Sequence, residues 1–433
     1  MTGIQKGSLK IQLKEFAKQV GETFYQGAPL IPQTNWMDAF DALTQAVNKI
    51  PKDKKVVLFL DELPWMATPR SNLLMALEFY WNRYWAFDDR IKLIICGSAT
   101  SWIIEKIINN TGGLHNRVTR TIHLKPFSLH EVENYLKSRK IRLNHRQILD
   151  LYIVLGGVPL YWSFIQKGRS AHQSIDELCF QNDGPLVKEF RRLFESLFED
   201  AKPYVDLIRK IAKHRYGIGQ TELIKKSKLP NGGNTVKKLS QLEEAGFITS
   251  LVPYGRKDKG IYYLIDDEYS LFYLSWIEPN LKAIAKKTKN KGFWVSQATR
   301  PTWKAWSGLS FEAVCYKHID QIREALNIDA GSIAGTWRFF PKEGEEGAQI
   351  DLLFDRPDGS ITLCELKCSD KLFVIDKVYA HELLRKTEVF RKHLKLEKQL
   401  FLAMITTFGL KPTMYSEEIV AGEAKLDDLF KDI

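Results

Sequence analysis

Asp351, Glu365 and Lys367 stand in a D-x13-E-x-K spacing, within Ile350-Asp351-Leu352-Leu353-Phe354 and Cys364-Glu365-Leu366-Lys367. Two carboxylates brought together bind Mg²⁺ or Mn²⁺ through hard oxygen ligands. An amine beside them positions or deprotonates an attacking water, or steadies developing phosphate charge. Glu312, in Gly308-Leu309-Ser310-Phe311-Glu312, is a further acid for the same metal. A second acidic pair, Asp61-Glu62, follows the apolar run Val56-Val57-Leu58-Phe59-Leu60. A carboxylate at the end of a buried strand can hold the hydration shell of Mg²⁺, the part expected of Asp61, while Glu62 orients a water for phosphoryl transfer. Ser98, after Gly97, is placed to sense a γ-phosphate, and Arg117 or Arg120 to neutralise phosphate charge.

A third set is basic. Between Tyr204 and Ile265 there are 12 Lys and Arg against 5 Asp and Glu, and from Lys282 to Lys304 there are 7 basic residues and no acid. Such concentration is the footprint of phosphate-backbone binding, or in the second stretch of a solvated linker. Thr235, Lys237, Lys238 and Gln241 are expected on the groove-facing side of one helix, with Val236, Leu239 and Leu242 on its buried side. Arg256, Lys257 and Lys259 form a basic hairpin tip between two strand-like runs. Lysine outnumbers arginine, which favours phosphate anchoring over base readout.

These residues need an α/β scaffold. Val56–Leu60 and 93–96 are continuous apolar runs, expected as parallel strands covered on both faces, joined through a helix near 71–84. Residues 127–195 are expected to be helical, broken at Gly156-Gly157-Val158-Pro159. Short helices near 204–214 and 220–228, a helix after Asn231-Gly232-Gly233-Asn234, and two strands read as a winged helix-turn-helix. The last part is expected to hold a helix near 308–326, strands near 349–355 and 360–367, a helix near 375–395 and a strand at 399–406. On such a strand, Glu365 and Lys367 share a face while Cys364 and Leu366 take the other.

In order along the chain, Phe59-Leu60-Asp61-Glu62-Leu63-Pro64-Trp65-Met66, Cys96-Gly97-Ser98, His123-Leu124-Lys125-Pro126-Phe127-Ser128 and Gly156-Gly157-Val158-Pro159 resemble the archaeal-type P-loop ATPase family. Its members join an ATPase domain, a winged helix and a C-terminal domain of unknown function 234. The D…ExK arrangement is similar to the PD-(D/E)xK nuclease superfamily, including its α-β-β-β-α-β order. The resemblance implies an incomplete P-loop ATPase parallel sheet over 1–125 and a helical lid over 126–200. A winged helix over 201–280, a basic linker over 281–302 and a restriction-endonuclease-like α/β domain over 303–433 would follow. Asp61 and Glu62 would be the Walker B pair, Ser98 the sensor, and Gly156 to Pro159 a break close to the nucleotide.

The family's GxxxxGK[ST] phosphate loop occurs nowhere in this sequence. Met1 is expected to fall just after the family's second strand, through a mis-assigned start, a split gene or a true loss. ATP binding and hydrolysis are therefore expected to be weak or absent. The expected activity is metal-dependent cleavage of DNA with Mg²⁺ or Mn²⁺; the alternative is a nucleotide-linked DNA-binding regulator with a silent C-terminal domain. Expected partners are DNA, a separate polypeptide supplying the N-terminal part, and a second copy of the chain.

Composition agrees with a folded chain of several domains: 433 residues, 44% hydrophobic, net charge +11. No apolar run approaches the roughly 20 residues of a membrane helix, and Met1-Thr2-Gly3-Ile4-Gln5-Lys6 lacks the apolar core expected of a secretory signal. Five scattered cysteines, Cys96, Cys179, Cys315, Cys364 and Cys368, fit a reducing cytoplasm, and the one close pair, Cys364 and Cys368, is read as core residues rather than zinc ligands.

Overall fold

The first element, helix α1 (Leu9–Phe24), presents Leu13, Phe16 and Val20 to a core it shares with α2 (Trp36–Asn48), whose first turn is capped by Asn35 accepting from Asp38 N at 2.9 Å. Strand β1 (Val56–Leu60), the short α3 (Leu63–Met66), α4 (Leu73–Arg83) and β2 (Ile91–Ile95) follow. β1 and β2 pair in parallel, from Val56 against Ile91 to Leu60 against Ile95. Residues 1–3 run along the other edge of β1: Asp61 N donates to Met1 O at 2.9 Å and Gly3 N to Asp61 O at 2.8 Å. The helices cover one face only. Val56, Leu58 and Leu60 are buried against Phe16, Phe40 and Leu77, whereas Val57, Phe59 and Ile94 are exposed. The expectation of strands covered on both faces is corrected: an apolar run records what a strand can bury, not what is present to bury it.

These elements belong to a first unit, Met1–His123; a second spans Leu124–Ile433. The computed structural model describes every residue except 99, 110–111, 115, 199, 228–232, 256–259, 287–291, 340–345 and 396, and the side chains of 100 and 101. No described helix is long and apolar enough to cross a membrane.

The second unit opens with helices α5 (Leu129–Ser138), α6 (His145–Leu155), α7 (Ala171–Cys179) and α8 (Glu189–Leu197). Capping boxes start two of them, Ser128 with Glu131 and Ser170 with Gln173. Gly156 ends α6 at φ +61°, and a Cβ on Gly157 would lie 2.1 Å from the Phe127 carbonyl oxygen, so this break requires both glycines. Next come α9 (Ala201–Ala212), β3 (Ile218–Gly219), α10 (Gln220–Ser227), α11 (Gly233–Glu244), β4 (Ile248–Leu251) and β5 (Tyr262–Ile265), the strands forming an antiparallel sheet in the order β3-β5-β4.

The described residues of 281–302 do not behave as a linker. Short helices occupy Leu281–Ala285 and Phe293–Gln297, and Trp294 is fully buried among Phe180, Phe272 and Trp303. Asp176 accepts from Gly292 N at 2.9 Å and Trp294 N at 2.7 Å. The basic composition masked this anchor, because charge counts say nothing about where one indole goes.

The last part holds α12 (Pro301–Lys317), α13 (Ile319–Ala325), β6 (Ile333–Phe339), β7 (Ala348–Asp355), β8 (Ser360–Lys367), α14 (Lys377–Leu394), β9 (Gln399–Thr406) and β10 (Gly422–Lys425). The strands form one mixed sheet, β10-β9-β8-β7-β6, antiparallel across β6, β7 and β8 and parallel across β8, β9 and β10. Cys364 and Leu366 pack with Phe311 and Val314 of α12, while Leu363 packs with Phe390 of α14. β8 thus lies between helices on both faces. Its residues are buried up to half-buried Lys367, as a strand covered on both faces requires.

Candidate functional site

Alternation along β8 puts Glu365 and Lys367 on its α14 side, and Lys367 Nζ lies 2.9 Å from Glu365 Oε1. Asp351 reaches them by a different route from simple strand pairing. Between β6 and β7 the register runs from Gly335–Leu353 to Trp337–Ile350, so Asp351 and Leu352 together oppose Thr336. This β-bulge breaks the alternation and re-aims a side chain. The β7–β8 ladder stops at Leu352–Cys364; beyond it Asp351 Oδ2 accepts from Leu366 N at 3.2 Å, and Oδ1 from Gln349 Nε2 at 3.1 Å. The Asp351 carboxylate therefore replaces a backbone carbonyl at the sheet's break, while its own carbonyl accepts from Tyr316 Oη.

Glu365 is the most heavily held group of the centre. Tyr379 Oη donates to Oε1 at 2.7 Å, and Lys386 Nζ lies 2.9 Å from Oε1 and 2.8 Å from Oε2. Despite burial, the ammonium groups of Lys367 and Lys386 hold its carboxyl below the ordinary value. The opposite holds for its neighbours. Burial, then the charge of Glu365, pushes Asp351 up to about 6; burial, then Asp351, pushes Glu312 up to about 8. Lys367 is raised by Glu365, Asp351 and Glu312, against the lowering effect of burial. Glu312, half-buried on α12, has Arg215 within electrostatic reach; that guanidinium donates to Ser310 Oγ at 3.1 Å and lies over the Trp306 ring.

The structure thus brings Asp351, Glu365 and Lys367 together, with Glu312 in electrostatic contact. Tyr379, Lys386, Gln349 and Arg215 are the residues that sequence reasoning missed. Tyr379 and Lys386 lie two helical turns apart, with Leu383 between them, a stripe that marks α14's inward face. For a hard cation the donors are right in kind, being carboxylate oxygens, but Lys367, Lys386 and Arg215 match Asp351, Glu365 and Glu312 in number. Among the described residues, however, no three acids, histidines or cysteines stand close enough to hold an ion together, and both Glu365 oxygens are engaged.

In the first unit, Asp61 follows β1 and its Oδ2 accepts from Thr2 Oγ1 at 3.0 Å. Glu62 adopts φ +51° and turns the chain into α3, which swings its carboxylate to Ser98: Oε2 accepts from Ser98 Oγ at 3.0 Å and Ser98 N at 3.2 Å. A Cβ on Gly97 would lie 2.7 Å from Pro64 Cδ, so glycine permits this close approach of the two strand ends. The Cys96 thiol is pushed up by burial and by Asp61. Asp61, Glu62 and Ser98 therefore gather at one end of the parallel sheet. Arg117 and Arg120 are exposed, with no side-chain partner among the described residues.

The basic helix α11 is rolled relative to expectation. Thr235 is buried with Leu239 and Leu242, while Val236 and Lys237 are exposed. Gln241 accepts from Tyr204 Oη at 2.6 Å, and Lys238 lies over the Tyr204 ring while bonding Asn234. A small polar Thr was tolerated inside where an apolar-only stripe placed Val236. Arg256, Lys257 and Lys259 lie outside the described residues. Tyr254, beside them, donates from its backbone N to Thr336 O and from Oη to Asp355, fixing the hairpin's base to β6 and β7. A separate cavity of about 940 Å³, lined by Lys137, Lys140, Arg142, Lys167 and Arg169, lies at the ends of α5 and before α7 and contains none of the acids above.

No family model matches the chain. The uncharacterized protein MJECL04 of Methanocaldococcus jannaschii is 23% identical over 341 residues, which span 78% of this chain and 73% of that protein. Among solved structures, the Walker-type ATPase PABY2304 of Pyrococcus abyssi is 16% identical with a TM-score of 0.43, over 63% of this chain and 80% of its own. The structure of Drosophila ORC bound to AT-rich DNA and Cdc6 is 12% identical, covering 65% of this chain and 76% of that one, with a TM-score of 0.19. At these levels the likenesses identify no family and assign no function.

Proposed function

We propose that this protein binds DNA and carries a divalent-metal-dependent nuclease-type centre in its second unit, joined to a first unit descended from a P-loop ATPase with impaired nucleotide binding. The observation that carries the reading is the convergence of Asp351, Glu365 and Lys367, with Glu312 beside them, at a break in the sheet. Acids pushed toward neutrality by burial and by one another mark sites that do chemistry or accept cations.

Mg²⁺ or Mn²⁺ would be held by Asp351 and Glu365, with Glu312 adding negative charge nearby, and when bound it would supply neutralisation of phosphoryl oxygens and activation of water. The chain's own side chains have separable tasks. Tyr379 orients Glu365 through a 2.7 Å bond. The Leu366 N–H and Gln349 fix the Asp351 carboxylate. Lys367, anchored on Glu365, offers the amine that positions an attacking water or steadies the phosphate. Lys237, exposed on α11, supports a winged-helix contact to the phosphate backbone.

The test is cleavage of plasmid and linear DNA in Mg²⁺ or Mn²⁺. Glu365→Ala/Lys367→Ala is expected to lose activity by at least ~100-fold, the scale of removing a catalytic acid–base group; cutting at the parent rate ends the nuclease reading. One observation favours the alternative, a DNA-binding regulator with a silent second unit: both Glu365 oxygens already have cationic partners. That reading predicts no metal-dependent cutting by the parent protein.

A further inference from the structure

The face of α14 turned to the sheet carries Tyr379, Leu383, Lys386 and Phe390, spaced to share one side of a helix. Leu383 and Phe390 are buried in the packing. A lysine on such a stripe is costly unless its charge is matched. Among the described residues Lys386 makes its ion pair with Glu365: its Nζ bridges both oxygens almost symmetrically, at 2.9 and 2.8 Å. The two side chains are only 17% and 4% exposed. Glu365 does not need Lys386 for neutrality, because Lys367 Nζ already lies 2.9 Å away. Asp351 and Glu312, meanwhile, have no ion pair among the described residues. Two ammonium groups thus lie within ion-pair distance of one of three acids, and one of them bridges the two oxygens of that carboxylate, as a divalent ion bound bidentately does.

We propose that Lys386 is a tethered cation occupying the metal position on Glu365, so that its ammonium and a divalent ion compete for that carboxylate. This rests on the reading of the acid centre as a metal site. The withdrawn ammonium has a destination. Glu382 lies one turn earlier on α14, in the favourable i, i+4 order; Arg385 holds its two oxygens at 2.6 and 2.9 Å, and the Lys386 charge is felt there as well, so the ammonium would share that carboxylate. In the metal-free protein Lys386, beside Lys367, occupies both oxygens of Glu365 and competes with ions for them. Loading the metal exchanges one cation for another without leaving a buried carboxylate unpaired.

The experiment measures Mn²⁺ binding to the full chain without DNA, by loss of the free-ion electron paramagnetic resonance signal. Lys386→Met keeps the apolar stem and removes the competing charge. It is expected to bind Mn²⁺ about tenfold or more tightly than the parent, a shift typical of coupled binding. Adding Asp351→Asn to that variant should abolish the gain. Equal or weaker Mn²⁺ affinity in Lys386→Met overturns the role of Lys386 and leaves the metal site standing. Absence of Mn²⁺ binding in both proteins overturns the metal-site reading, and this proposal with it. Should Lys386→Met fail to fold, ¹⁵N-lysine spectra of the parent decide instead. Added Mg²⁺ is expected to shift the Lys386 Nζ signal, assigned by its loss in Lys386→Arg, and to speed its proton exchange; an unmoved signal at saturating Mg²⁺ overturns the proposal.

Discussion

Glu312 and Asp351 keep protons at pH values where ordinary carboxyls have lost them. Their folded values, about 8 and about 6, lie above the unfolded ones, so the folded state binds protons that the unfolded state releases. The stability they contribute is therefore present at low pH and is lost as pH rises, between 3.8 and about 6 for Asp351 and between 4.5 and about 8 for Glu312. In metal-free buffer the melting temperature of the second unit should fall across that window. Glu312→Gln should flatten the fall and raise the melting temperature at pH 8, while an unchanged slope would assign the effect elsewhere. Glu365 runs the other way: its lowered value stabilises above the ordinary carboxylate range and is lost on acidification. At this scale the sequence identified Asp351, Glu365 and Lys367 from spacing and residue type. Lys386 and Tyr379 escaped because a lysine in an amphipathic helix is assigned to the solvent face by default, and only its partner reveals otherwise.

At the scale of elements, the strongest departures are the rolled helix α11 and the anchored stretch around Trp294. Phosphate contact from α11 now falls to Lys237, with Thr235 buried and Gln241 occupied by Tyr204. Lys237→Glu should weaken DNA binding uniformly across sequences and reduce the slope of log K against log salt by about 1. Gln241→Ala should leave binding nearly unchanged. Equal effects of the two would restore the original helix face. Trp294 is fully buried against Phe180 and Trp303. Trp294→Ala should cost roughly 3–5 kcal/mol in denaturant titration, as other aromatic truncations in cores do, whereas Lys286→Ser, on the exposed surface, should fall within about 0.5 kcal/mol of the parent. If the two substitutions were equally mild, 281–302 would be a linker after all. Both misreadings have one cause. Periodicity and charge describe the average side of a segment, and a single Thr inside or a single Trp inside a basic run reverses the local answer.

For the whole molecule, the first unit carries Asp61, Glu62 and Ser98 at the end of a two-stranded parallel sheet with one bare apolar face. Phosphate binding in P-loop proteins depends on backbone N–H groups and a lysine of the GxxxxGK[ST] loop, which this sequence does not contain. Equilibrium binding of labelled ATP should accordingly be weaker than low micromolar. Tight binding would show that another part of the chain cradles the phosphates.

The sequence by itself determined the alternation of elements, the shared face of Glu365 and Lys367 on β8 and the identity of the acids that could serve a metal. Each of these follows from local period and side-chain chemistry, which neighbours a few residues apart express on their own. Three matters were left to the tertiary structure. A bulge opposite Thr336 aims Asp351, α14 delivers Tyr379 and Lys386 to Glu365, and helices cover only one side of β1 and β2. Each depends on which distant segment arrives against a given surface. Burial, and with it the charge state of every acid in the centre, is a property of that encounter and not of the strand that carries the residue.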